Sequence, residues 1–193
     1  MAEKLGIYVH IPFCKHKCDY CDFYSLAGAE EQTERYQKAL LAHMAETAPL
    51  AKGWEVDAVY FGGGTPLMRG TKALIQVLDF IKKHFKVTRD AEITVEANPE
   101  SVDFATLRAL RRAGFNRLSL GMQSACDAEL KAVGRIHDFA QVEAAVQAAR
   151  KAKLKNVSLD LIYGLPGQTS ESWEKTLDAA VALGPEHISG YGL

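Results

Sequence analysis

The sequence lacks the features that mark a charged or membrane-bound partner. Its 23 basic and 24 acidic residues are interleaved and leave a net charge of −1 over 193 residues. Neither a nucleic-acid footprint nor a polybasic lipid-binding patch is therefore expected, and small or neutral partners are favoured. No apolar run approaches the roughly 20 residues that cross a bilayer. Residues 1–5 carry an acidic side chain and lead directly into a strand pattern, which points to a cytoplasmic protein. There is no internal repeat, low-complexity tract or linker, so a single core domain over 1–193 is the simplest organisation. Cysteine is scarce too, four in all, yet three of the four fall within eight residues.

Those three, Cys14, Cys18 and Cys21, sit just after a strand-like run at 7–11. Thiols clustered in this way read first as a metal site. A tetrahedral zinc site takes four protein ligands and commonly pairs its cysteines as CxxC, whereas the CxxxCxxC spacing here supplies three. On a four-iron cluster, three thiolates leave one iron without a protein ligand, open to a small chelating molecule that can receive an electron. Lys15, His16 and Lys17 lie between the first two cysteines, where they would offset the negative charge of a cluster. Two plainer readings stand beside this one: a zinc knuckle completed by His10, His16 or Cys126, or a disulfide, which a reducing compartment disfavours.

Helical spacing predicts helices over 30–48 (Tyr36, Leu40, His43, Met44, Thr47) and around Leu74, Val77, Leu78, Ile81 and Phe85. Others are predicted from about 103 (Phe104, Leu107, Leu110) to a stop at Gly114, near 127–133, and from 138 (Val142, Ala145, Val146, Ala149). A further helix, entered through the turn Gly164-Leu165-Pro166-Gly167, carries Trp173, Leu177, Ala180 and Val181 on one face. Strand patterns fall at 7–11, 56–61, 92–97, 117–120, 156–162 and 187–191. Strands alternating with helices imply parallel pairing through right-handed crossovers. One strand face is apolar, with Val9, Phe61, Val95, Leu120 and Leu159, while the other carries Tyr8, His10, Tyr60, Glu96, Ser119, Asp160 and His187. An open doubly wound sheet would bury both faces. A polar, ionisable inner face predicts an α/β fold of another kind: a partial (β/α)6 barrel, its parallel strands curved around a ligand-filled lumen with the helices outside. No helix follows the strand at 187–191, so the outer side of Ile188 is expected to lie bare and the free edge to favour dimers. The chain is accordingly expected to be the N-terminal portion of a longer protein, cut before a C-terminal domain.

Gly62-Gly63-Gly64-Thr65-Pro66 follows the second strand, and glycines there let the backbone approach a ligand closely. The stretch lacks both the Gly-Lys-Ser/Thr ending of a phosphate loop and the spacing of a dinucleotide fingerprint, and alone it reads equally as a tight turn. The cysteine loop, with the aromatic Tyr20 before its last cysteine, resembles the signature of the radical S-adenosylmethionine (SAM) superfamily. Within that superfamily the chain is similar to the oxygen-independent coproporphyrinogen III oxidase family. The similarity runs through YVHIPFC at 8–14, GGGTP at 62–66, VEANPE at 95–100, RLSLGMQS at 117–124, GRIH at 134–137 and DLIYGLPGQT at 160–169.

The resemblance implies a [4Fe-4S] cluster on Cys14, Cys18 and Cys21 with SAM chelating the fourth iron, and reductive cleavage of SAM to methionine and a 5′-deoxyadenosyl radical. It assigns Gly64 and Glu96 to the amino group of SAM, Thr65 and Arg135 to its carboxylate, and Gln123 and Asp160 to the ribose. Tyr20 and Ile162 would flank the adenine, and Tyr8 joins the cofactor-binding set. Taken singly, Glu96 or Asp160 reads as a buried carboxylate paired with a neighbour such as Arg117. His10, His137 and His187 read as structural histidines as readily as catalytic ones, Cys126 reads as a structural thiol, and no catalytic residue is singled out. The coproporphyrinogen-oxidising members have a further cysteine two residues after the third, where this chain has Phe23, and a longer arm before the cluster. Both departures resemble the sister branch of haem chaperones. That branch implies haem or a porphyrin as ligand, an electron donor, and a haem-accepting protein partner; oxidative decarboxylation of coproporphyrinogen III is the alternative activity.

Overall fold

The structure, a computed structural model, describes residues 3–193; Met1 and Ala2, where the expected acidic lead begins, lie outside the described residues. Among these, six main strands alternate with helices: β1 (Glu3–Ile11), β2 (Trp54–Gly63), β3 (Val87–Ala97), β4 (Arg117–Gln123), β5 (Asn156–Tyr163) and β6 (His187–Gly192). They form one sheet in sequence order, each neighbouring pair parallel. The helices are α1 (Thr33–Thr47), α2 (Gly70–His84), α3 (Phe104–Ala113), α4 (Asp127–Ala132), α5 (Phe139–Lys151) and α6 (Ser170–Ala182). Six parallel strands curl into a half-barrel with the helices around it, the expected partial (β/α)6 architecture. No helix among the described residues is long and apolar enough to cross a membrane.

The two strand faces separate as their side chains require. Val59, Phe61, Ile93, Val95, Leu118, Leu120, Val157, Leu159 and Leu161 are buried in the layer between sheet and helices. That layer also takes the stripe Leu74, Val77, Leu78 and Ile81 of α2, at the i, i+3, i+4, i+7 spacing of one helix face. Helix ends follow local chemistry. Asp103 accepts a bond from Thr106 N at 2.7 Å to start α3, Gly114 closes it in the left-handed region (φ 117°), and Asp138 with Gln141 forms the expected capping box on α5.

Three expectations fail for geometric reasons. Val181 is 66% exposed, because the inward stripe of α6 is Trp173, Thr176, Leu177 and Ala180, and position 181 has rotated past its edge. His43 is likewise exposed on α1, where the buried stripe takes in Gln37 instead. Gln37 is tolerated inside because it donates to Ala73 O (3.1 Å) and Gln76 Oε1 (3.3 Å) and accepts from Arg69 Nη2 (3.4 Å). Finally, Ile188 is half-buried, because its outward side packs against the main core that the neighbouring strand β5 shares. Along the sheet, β6 is an edge and pairs with β5 alone.

Candidate functional site

Parallel α/β sheets bind ligands beyond the carboxyl ends of their strands, and at that end of the half-barrel the cysteine loop meets the glycine turn. The loop leaves β1 after Ile11 and is pinned at both ends. A two-residue parallel ladder joins Phe13–Cys14 to Leu26–Ala27, and Leu26 N donates to Pro12 O at 2.8 Å. Within it, Cys21 N donates to Cys18 O (3.0 Å) and Asp19 N to Val133 O (3.2 Å). All four cysteines are free and half-buried.

The glycine turn is drawn against this loop by two backbone bonds, Gly64 N to Ile11 O (2.8 Å) and Thr65 N to Phe13 O (2.7 Å). Glycine is required for the approach. A Cβ on Gly64 would sit 2.6 Å from Phe13 O and 2.9 Å from Cys14 Sγ, and one on Gly62 would sit 2.9 Å from the Glu96 carboxylate.

Two carboxylates face the lumen. Glu96 accepts from Tyr60 OH (2.7 Å) and Gly63 N (3.1 Å), and Asp160 accepts from Ser119 Oγ (3.0 Å). Burial raises the pKa of both above the ordinary carboxylate value; these bonds only partly offset it, and the proximity of Asp160 pushes Glu96 further up. The expected ion pair with Arg117 is made elsewhere, to Glu92 at 3.7 Å.

Arg135 stands across the cleft. Its Nη2 donates to Gly121 O (2.7 Å) and its Nη1 to Asn98 Oδ1 (3.2 Å) and Cys18 Sγ (3.5 Å). Asn98 Nδ2 in turn donates to Thr65 Oγ1 (3.1 Å), and that hydroxyl lies 3.8 Å from Cys14 Sγ. Asn98 thus links Thr65, Arg135 and both cysteines, a role sequence reasoning missed: its one cue was its place in the VEANPE stretch. Gln123 follows a bulge in β4 and has φ 63°, uncommon for any residue but glycine. Tyr20 packs on a small cluster of Val133, Ile162 and Leu165, and its hydroxyl pKa is pushed up to about 12, first by burial and then by Cys18 and Cys21, against the pull of Arg135.

These groups line one open cleft, which takes in Cys14, Cys18, Cys21, Tyr20, Gly64, Thr65, Glu96, Gln123, Arg135 and Asp160. Two expected members stand apart from its lining. Tyr8 is 58% exposed, stacked on Tyr60 at 6.0 Å with its hydroxyl 3.0 Å from His10 Nδ1, and Ile162 is buried in the small cluster beneath Tyr20. The histidines have structural partners: His10 Nε2 lies 2.9 Å from Tyr24 O, His137 Nε2 3.3 Å from Met122 O, and His187 Nδ1 2.9 Å from Ser158 Oγ. Cys126 begins α4, outside the cleft lining. Among the described residues, no three His, Cys, Asp or Glu side chains converge closely enough to hold a single metal ion.

The cleft has the donors and the shape for a polar ligand beside three thiols. Gln123 Oε1 and Arg135 Nε are buried without a hydrogen-bond partner, and the Gly62 and Gly64 cradles would be filled by any Cβ. A half-barrel of parallel strands with a three-thiol loop and paired carboxylates at the strand ends defines a cofactor-binding (β/α) protein. The sequence pattern of the radical SAM superfamily matches residues 8–180, and the chain belongs to that superfamily. Membership implies a [4Fe-4S] cluster and SAM.

Relatives named heme chaperone HemW include proteins from two well-separated bacteria. The Mycobacterium tuberculosis protein is 40% identical over 198 residues, covering 100% of this chain and 50% of the relative. The Escherichia coli protein is 39% identical over 190 residues, covering 98% and 50%. Among solved structures, coproporphyrinogen III oxidase (HemN) from Escherichia coli superposes with a TM-score of 0.91 at 32% identity, over 100% of this chain and 45% of that one. The chain thus spans about half the length of the curated relatives it matches.

Proposed function

We propose that the cleft holds a [4Fe-4S] cluster through Cys14, Cys18 and Cys21, with SAM bound across the strand ends, and that the protein serves haem metabolism as a haem chaperone. When bound, the cluster and SAM supply one-electron reductive cleavage of the sulfonium. The chain's own part is positioning. Glu96 and the backbone at Gly64 suit a ligand ammonium, while Thr65 and Arg135, bridged by Asn98, suit its carboxylate. Gln123 and Asp160 suit ribose hydroxyls, and Tyr20 over Ile162 gives a flat apolar wall for adenine. The observation that supports this reading most is the approach of Gly64 to Cys14, close enough that a ligand held on the glycine turn would reach a cluster held on the thiols. A single zinc ion fits less well, because its donors must all lie about 2.0–2.3 Å from one point, whereas each thiolate of a cluster takes a different iron.

The haem-chaperone reading is favoured by the names of the relatives and by Phe23 at the position of the further cysteine of the oxidising members. The resemblance to HemN favours coproporphyrinogen III oxidation as the second reading. Haem or a porphyrin, an electron donor and a haem-accepting protein are the partners, in a cytoplasmic setting that keeps the thiols reduced. The free edge of β6 would favour self-association, to be read as a rise in scattering mass with concentration. The full-length protein should bind haem stoichiometrically and form no protoporphyrinogen from coproporphyrinogen III; the reverse result would transfer the assignment to the oxidase.

A further inference from the structure

Glu129 lies on α4 behind the cleft and is 5% exposed. It makes no ion pair among the described residues, although a buried carboxylate is tolerated only when its charge is met. Three neutral donors meet it: Ser124 Oγ (2.6 Å) and Gln168 Nε2 (3.0 Å) on Oε2, and Ser172 Oγ (2.5 Å) on Oε1. Because hydrogen bonds favour the charged form, these three outweigh the effect of burial and hold its pKa below the ordinary value.

Two of the donors lead toward the cleft, Ser124 to Gln123 in its lining and Gln168 to Ile162 beneath Tyr20, and the third anchors α6. Ser124 directly follows Gln123; its N–H donates to Met122 O (2.8 Å) and its hydroxyl accepts from Cys126 N (2.9 Å), which closes the bulge that turns Gln123 inward. Gln168 accepts from Gly164 N (2.7 Å) through Oε1 and reaches Ile162 O (3.4 Å) through Nε2, fixing the turn after β5. Ser172 lies in the first turn of α6. In contrast, Thr65 and Arg135 are held from the other side, by Asn98 and Gly121.

We propose that Glu129 is a positioning residue for the nucleoside half of the ligand: it fixes Gln123 and Ile162 together without touching the ligand, and leaves the methionine half alone. This rests on the radical SAM reading above. The test uses anaerobically reconstituted protein, with SAM and free methionine titrated separately. An amide cannot accept from three donors at once, so Glu129→Gln should weaken SAM binding about tenfold, roughly the effect of one lost charge-assisted bond. Methionine affinity and the iron and sulfide content should stay within about twofold by the same reasoning, Glu129→Asp should recover part of the SAM affinity, and amides at 162–168 should exchange faster in Glu129→Gln. Unchanged SAM affinity, or equal loss of SAM and methionine, would overturn the proposal. If Glu129→Gln does not fold, Gln168→Met carries the same test, since it removes the bridge from Glu129 to Ile162 together with the bond from Gly164 N and leaves the Ser124 contact in place: a SAM-selective loss supports the proposal and its absence overturns it. Parent protein that binds no SAM would overturn the radical SAM reading as well, a result distinct from a parent that binds SAM and a variant that binds it equally.

Discussion

Glu96 holds its proton to higher pH than it would in the unfolded chain, because burial and the nearby Asp160 outweigh the bonds from Tyr60 and Gly63. Between the ordinary carboxylate value and its raised one, the folded state therefore binds more protons than the unfolded state. Stability of the cofactor-free chain should fall as pH rises through that window. Affinity for SAM should run the other way, since only the ionised carboxylate attracts the ligand ammonium. Glu96→Gln removes both effects: thermal denaturation near neutral pH should show no loss of stability, while equilibrium dialysis should show SAM affinity reduced tenfold or more, about the worth of a charged hydrogen bond. A variant that keeps its SAM affinity would refute the assignment. Gly64→Ala tests the neighbouring cradle. Its methyl, 2.9 Å from Cys14 Sγ and 2.6 Å from Phe13 O, must displace the loop, so iron loading should drop several-fold with circular dichroism unchanged, whereas full loading would contradict the cradle. At this scale the sequence was legible where chemistry is announced by residue type and spacing, as for Cys14, Cys18, Cys21 and Glu96. Asn98 and Glu129 were not, because an amide or a carboxylate acquires such a role from partners that folding brings together, most of them here from 33 to 43 residues away.

Among the elements, β4 does the least regular work. Leu118, Leu120 and Met122 are fully buried in the outer layer, yet the bulge leaves Gln123 opposite the outward Leu161 while its side chain lines the cleft. A left-handed conformation at a residue with a side chain costs on the order of 1 kcal/mol, and glycine adopts it freely. Gln123→Gly should therefore leave the denaturation midpoint unchanged or raise it, by no more than about 1 kcal/mol, while weakening SAM binding; a clear loss of stability would show that the side chain serves the fold. Alternation of apolar and polar residues made the strands and their inner face readable in advance, because a period of two leaves little freedom. The bulge was not readable, since Gly121, Met122 and Gln123 carry no pattern that distinguishes an inserted residue from a continued strand. The stripes of α1 and α6 were misjudged at their edges for a related reason: helical periodicity fixes the middle of a stripe better than its margins.

For the whole molecule, the polar lumen is what separates a half-barrel from an open two-layered sheet, and Thr94, Ser119 and Ser158, all buried on that inner face, mark it. This made the fold class legible, while the haem or porphyrin specificity was not, because nothing in the lumen side chains is peculiar to a tetrapyrrole. The central claim is that three cysteines hold an open cluster. It is tested most directly by anaerobic reconstitution of the parent chain and of Cys14→Ser, Cys18→Ser, Cys21→Ser and Cys126→Ser, with iron, sulfide and zinc measured in each and the visible spectrum followed on adding SAM. The parent and Cys126→Ser should each carry about four iron and four sulfide per chain, and the other three should carry none. One zinc per chain without sulfide, or a cluster retained in any of those three variants, would contradict the account.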